Sequence, residues 1–175
     1  MVTKKSMWVL FGILVVSVWV LGSAIQAGAE TFKVKISTYA TQLDRLPVGD
    51  VEGHAYQTCL RRGLAFFENG DIATYTNWSV GDYTKGKGPV EGYTLFSFED
   101  GSTIVYKLHG IWEPGPKGLP LGKGDGEFTQ GTGRFEGIKG NLTWTGKGYT
   151  GYSKEKGLLA DVLIEATATY TLPTK

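Results

Sequence analysis

From Thr31 onward, apolar and polar residues alternate. In TFKVKIS, Phe32, Val34 and Ile36 fall on one side and Lys33, Lys35 and Ser37 on the other, the period of a half-buried strand. Near the C-terminus, ADVLIEATATYTL repeats this pattern. Val162, Ile164, Ala166, Ala168 and Tyr170 share one side, and Asp161, Glu165, Thr167, Thr169 and Thr171 the other. Between them, VEGHAYQTCLRRGLAFF is β-capable throughout, and its Arg61-Arg62-Gly63 step predicts a bulge or a break between two strands. ENGD predicts a turn, and IATYTNWSV resumes the two-residue period. DGEFTQ and NLTWTGKGYT read as further short strands. YATQLDRLPVGD, GDYTKGKGP and EPGPKGLPLGKG read as loops, the last (Glu113–Gly124) long enough for a lid or flap. Strands at such short intervals predict an antiparallel barrel or sandwich.

The clearest hairpin lies in VEGYTLFSFEDGSTIVYKLHGIW. Asp100-Gly101 suits a two-residue turn in which both residues take positive φ. That register turns Tyr93, Leu95, Ile104, Tyr106, Leu108 and Trp112 inward, and puts Phe96 and Phe98 outside. A three-residue loop would invert this register.

The first residues carry a different signal. Lys4 and Lys5 precede an apolar run from Met7 to Leu21, followed by small residues and Ala27-Gly28-Ala29. This is the layout of a signal peptide cleaved after Ala29, and the run is shorter than the ~20 residues of a spanning helix. The predicted organisation is therefore a leader, 1–29, and one domain, 30–175, that is exported (secreted or periplasmic) with no stable membrane insertion after cleavage. The whole chain balances 18 Lys and Arg against 17 Asp and Glu. That gives no electrostatic footprint for nucleic acid and no polybasic membrane signal. Cys59 is the single cysteine, so no internal disulfide forms; either the core suffices for stability or Cys59 pairs with another chain. A buried inert thiol is its simplest reading.

GTGRFEGIKG, Gly131–Gly140, spends four glycines in ten residues between two strand patterns. A tight turn, a short helical turn near Arg134–Ile138 and a tight exit would fit. Phe135 and Ile138 would then plug one barrel end, with Arg134 and Glu136 left wet. With its flanks, GEFTQGTGRFEGIKGNLTWTG resembles the strand–turn–strand signature of the allene oxide cyclase-like and dirigent-like β-barrels. The resemblance covers most of Thr31–Pro173, and its specific part is Gly126–Gly140. It implies a single eight-stranded antiparallel barrel, calycin-like, often oligomeric, with an apolar cavity; no cofactor is expected. It carries over no catalytic residue.

The candidate chemistry is sparse. His54 and His109 are the only histidines and are too isolated to suggest a metal site. His54 and Cys59 are five apart, so along an unbroken strand they face opposite sides, which disfavours a nucleophilic pair. Glu52, Glu91 and Asp161 sit near strand starts, where a barrel mouth could use an acid. Asn77-Trp78-Ser79 and Asn141-Leu142-Thr143 are glycosylation sequons. Aromatics beside small residues suggest a ligand-lining set of Trp78, Tyr93, Tyr106, Trp112, Trp144 and Tyr170. A barrel of eight strands either fills itself with side chains or holds one small ligand. Three functions are carried forward. The first is a carrier of a small apolar molecule such as a lipid or secondary metabolite. The second is a cofactor-free isomerase or cyclase, or a dirigent-like guide, acting by proximity. The third is a structural homo-oligomer using Phe96 and Phe98 as a contact.

Overall fold

A computed structural model describes residues 28–153 and 155–174 of the chain. The predicted leader, apart from Gly28 and Ala29, lies outside the described residues. Eight antiparallel strands close into a barrel: β1 (Glu30–Pro47), β2 (His54–Phe67), β3 (Ile72–Thr84), β4 (Gly88–Phe98), β5 (Thr103–Pro114), β6 (Pro120–Thr132), β7 (Lys139–Gly148) and β10 (Val162–Thr171). Each pairs with the next, and β10 returns to β1, from Glu30 opposite Tyr170 to Thr38 opposite Val162. A small hairpin of β8 (Tyr152–Ser153) and β9 (Leu158–Leu159) interrupts the path from β7 to β10.

Alternation decides what faces inward. Phe32, Val34 and Ile36 on β1, and Val162, Ile164, Ala166 and Ala168 on β10, are buried as predicted. The outward positions Lys33, Lys35, Lys123, Asp125, Glu127, Lys147 and Glu165 are exposed. This apolar-in, polar-out arrangement is the reverse of a lipid-spanning barrel.

Several boundaries differ from the sequence reading. β1 runs through the predicted loop to Pro47, with the extra residue of a bulge between Ala40 and Gln42. β2 is continuous across Arg61-Arg62-Gly63, so the bulge falls on the strand facing that step. The Thr41 hydroxyl donates to the Leu60 carbonyl there. A second bulge separates the partners of Val105 and Tyr106 on β6. Bulges of this kind bend a strand so that a sheet can close. GDYTKGKGP shrinks to a tight turn, and the Glu113–Gly124 segment is mostly β5 and β6, joined by a 3-10 turn at Pro116–Gly118.

The β4–β5 register is the inverted one: β5 keeps Ile104, Tyr106 and Leu108 inward as predicted, and β4 presents its other face to the core. Phe98 pairs with Ser102 around a three-residue loop, with Gly101 at φ 81°, and the Asp100 carboxylate accepts from the Ser102 N–H. A single left-handed glycine after two ordinary turn residues suffices here. Phe96 and Phe98 are consequently core residues, and Tyr93 is outside and 48% exposed. Leu95 also turns outward and is half-buried. The contact proposed through Phe96 and Phe98 therefore does not exist.

GTGRFEGIKG closes one end of the barrel. A 3-10 turn, Gly133–Phe135, starts on Gly133 at φ 60° and exits through Gly137 at φ 75°, conformations costly for other residues. Ile138 is buried, and Phe135 lies 4.9 Å from Phe98, ring to ring. Phe98 meets Phe67, which meets Phe32 and Phe96, so this half is a packed aromatic plug. Arg134 lies over the Phe98 and Phe135 rings and binds Asp71 at 2.6 Å.

Candidate functional site

The other half of the barrel is less filled. β2 places alternate residues inward: Ala55, Cys59, Ala65 and Phe67 are buried, and Arg61 follows the same parity. Arg61 faces Asn77 across β2 and β3. Tyr75, Asn77 and Ser79 continue that wall along β3, and Val90 follows on β4. The facing wall is Leu108 and Trp112 on β5, Trp144 on β7 and Ile164 on β10. The pocket is thus amphipathic, polar on β2–β3 and apolar on β5, β7 and β10.

The apolar wall exists because glycines make room for it. A Cβ at Gly122 or Gly146 would stand 2.6 Å or 2.5 Å from the Trp112 indole, and one at Gly110 would enter the Trp144 ring at 2.3 Å. The two indoles pack with centroids 5.7 Å apart. The Trp144 N–H donates to the carbonyls of His109 and Asp125, each at 3.2 Å.

Arg61 is the charge of this pocket. Its guanidinium donates to the Ala160 carbonyl at 2.9 Å. Ala160 sits at φ 50° just before β10, and its segment is fixed by the Thr150 hydroxyl on the Asp161 carboxylate at 2.6 Å. Among the described residues, no carboxylate forms an ion pair with Arg61. Burial pushes the Tyr75 phenol up to about 12, opposed by the Arg61 charge and by a hydrogen bond with Thr94. Burial also pushes the Tyr83 phenol up to about 12 and raises Tyr106 and the Cys59 thiol. All four stay protonated near neutrality. Asn77, 3% exposed, donates to the Tyr93 carbonyl and to the Thr94 hydroxyl, both at 3.1 Å. Its amide is inside the barrel, so the Asn77 sequon is closed to glycosylation in the folded protein. Asn141 is exposed on β7.

The free volume among these side chains is about 40 Å³. That admits water, but it is far below the ~300 Å³ at the lower end of small-molecule sites. Arg61, Ser79 and Trp112 are the half-buried members, and of these the long side chains Arg61 and Trp112 are the ones that must swing for anything larger to enter.

The predicted lining residues divide among three places. Tyr106, Trp112 and Trp144 line this pocket. Tyr170 faces inward at the plugged end, packs on Phe32 and donates to Glu30 at 2.7 Å. Trp78 and Tyr93 stand on the outer wall, each 48% exposed. Sequence reading missed Arg61, Tyr75 and Asn77. Counting alternation back from Ala65 and Phe67 would have placed Arg61 inside, but the Arg-Arg-Gly step looked like an interruption.

The acids considered for the mouth are solvated. Asp161 holds Thr150, Glu52 lies 3.6 Å from Lys85, and Glu91 lies 4.0 Å from His109. His54 and Cys59 do face opposite sides of β2. Among the described residues, no three His, Cys, Asp or Glu side chains are grouped to hold a metal.

His54 instead bridges two carboxylates. Nδ1 meets Asp50 at 2.5 Å and Nε2 meets Asp82 at 2.6 Å, tying the 48–53 loop to β3. The bonds to Asp50 and then Asp82 raise the histidine above its ordinary 6.5, against some burial, and the bond from His54 lowers Asp50 below 3.8. A raised histidine stabilises the fold fully below its unfolded pKa and loses that contribution as pH rises through the folded one. The lowered Asp50 contributes above its unfolded pKa and fades as pH falls through the folded one. The expected result is a melting-temperature gap between wild type and His54→Gln that is widest near about pH 5–6 and narrows toward about pH 9. Thermal melts of both proteins across that range measure it.

Comparisons with protein-family models and with curated proteins return no match. The resemblance carried by Gly126–Gly140 accordingly remains a sequence likeness.

Proposed function

We propose that this protein is an exported carrier whose barrel mouth binds a small apolar molecule bearing an acidic group. The observation that carries this reading is Arg61: a guanidinium inside an aromatic-lined barrel, held by the neutral Ala160 carbonyl beside the Cys59 thiol, with no carboxylate paired to it among the described residues. A carboxylate is a better acceptor than the Ala160 carbonyl, because a charge-assisted, two-pronged bond is stronger than a neutral one. The apolar body of the ligand would replace Trp112 against Trp144, Leu108 and Ile164. The barrel supplies orientation and exclusion of water.

Titration calorimetry with dodecanoate and with dodecanol tests this. Wild type is expected to prefer the acid, and Arg61→Gln to lose about 10- to 100-fold in affinity for the acid with little change for the alcohol, matching the ~1.5–3 kcal/mol of a charged hydrogen bond. Equal affinity of both proteins for dodecanoate would overturn the assignment.

A second reading, a cofactor-free isomerase or cyclase like the family it resembles, is supported by Tyr75 and Tyr106. Phenols kept protonated by burial donate hydrogen bonds to an oxygen that gains charge during reaction. It requires a substrate whose turnover, but not binding, falls in Tyr75→Phe.

A further inference from the structure

The outer wall carries a feature that the mouth does not explain. Leu60, Trp78, Tyr93 and Lys107 form one straight row across β2, β3, β4 and β5, each opposite the next. The neighbouring row is Thr58, Val80, Glu91 and His109. With Gln42, all of these except His109 bound an open groove of about 600 Å³.

Trp78 and Tyr93 are directly opposed, and aromatic neighbours in that position ordinarily pack on one another. Here they do not. Among the described residues neither ring packs on another aromatic ring, and neither the indole N–H nor the phenol O–H has a hydrogen-bond partner. Both stay 48% exposed. Lys107 makes no ion pair among the described residues, and Glu91 only touches His109 at 4.0 Å. The groove therefore offers two accessible aromatic faces bordered by hydrogen-bonding groups of both kinds.

The occupant must match that mixture. An aromatic face is electron-rich and attracts the partial positive charge of C–H bonds. A pyranose ring presents C–H bonds on its faces and hydroxyls at its edge, so stacked on Trp78 and Tyr93 it places hydroxyls beside Lys107, Glu91, Gln42 and Thr58. A protein partner fits poorly, because interface cores are depleted of Lys and Glu, and closing this groove would strand both without water. A lipid surface fits poorly too, since Lys107 is offset by Glu91 and no basic cluster surrounds it.

We infer that the outer wall of β2–β5 is a carbohydrate-binding platform for chains of uncharged pyranose sugars, with Trp78 and Tyr93 as its stacking residues. The site is separate from the mouth and does not depend on the carrier reading.

The test is titration of the mature protein with cellohexaose, xylohexaose, mannohexaose and chitohexaose, followed by tryptophan fluorescence. At least one sugar is expected to give saturable binding below about 5 mM. Trp78→Ala and Tyr93→Ala should each weaken it at least tenfold, and Arg61→Gln should leave it unchanged. Both aromatics are exposed, so the variants should fold, which near-ultraviolet circular dichroism verifies. No saturable binding to any of the four overturns the inference. So does self-association in sedimentation that Trp78→Ala abolishes, which would make this wall a contact between copies.

Discussion

Phe96→Ala is expected to destabilise the barrel by about 3–5 kcal/mol, a large share of the ~5–15 kcal/mol that holds a domain of this size. Phe96 is fully buried. Its ring lies 5.4 Å from Phe67, 5.6 Å from Tyr106 and 6.0 Å from Tyr75, centroid to centroid. These neighbours stand on β2, β5 and β3, strands fixed by their ladders, so the walls cannot collapse into the space left behind. Leu95→Ala, at the half-buried outward position beside it, should cost under about 1 kcal/mol. Urea unfolding of both variants reads this out. The reverse order, with Leu95 the costly position, would restore the two-residue turn and invert the hairpin.

The second large effect concerns two glycines that look alike in sequence. A Cβ at Gly124 would meet the His109 carbonyl oxygen at 2.0 Å and the Gly110 Cα at 2.6 Å. Both are backbone atoms of the paired strand, so only separating β5 from β6 relieves the clash. Gly124→Val is expected to cost more than about 3 kcal/mol, beyond ordinary overpacking, and to leave little folded protein at 37 °C. At Gly146 the obstacle is the far edge of the Trp112 indole, 2.5 Å away, and that side chain is half-buried at the mouth. Gly146→Ala should therefore fold at a cost of about 1–3 kcal/mol and push Trp112 toward solvent, shifting its emission to the red. It should also speed dodecanoate association, because the displaced indole is the obstacle to entry. Unchanged emission in Gly146→Ala would mean that Trp112 does not rest on Gly146.

How much of this was legible follows from where each signal resides. β1 and β10 were read correctly in TFKVKIS and ADVLIEATATYTL because branched and aromatic residues there alternate with polar ones. β6 was not: its inward positions include Gly122, Gly124 and Gly126, where a Cβ would meet the Trp112 indole, the β5 backbone, and the Lys107 carbonyl with the Tyr106 ring, respectively. A strand whose core contribution is absence has no hydrophobic period, and KGLPLGKG looks like a loop. The β4–β5 register turned on one backbone angle, Gly101, and either loop length suits Asp-Gly. The plug of Phe135 and Ile138 was readable from glycine spacing. The pocket was half readable: its aromatic wall stood out by composition, whereas Arg61 was masked by its neighbour Arg62, which points the other way. Trp78 and Tyr93 were grouped with the interior because residue type does not distinguish the two sides of a sheet.

The most direct test of the account is native mass spectrometry of wild type and Arg61→Gln, purified in parallel from the protein's own host and then presented with dodecanoate. Wild type is predicted to carry, or to take up, one acidic ligand that Arg61→Gln does not hold. A wild-type barrel that remains free of any adduct at saturating dodecanoate, or an Arg61→Gln barrel that retains the same adduct, would contradict it.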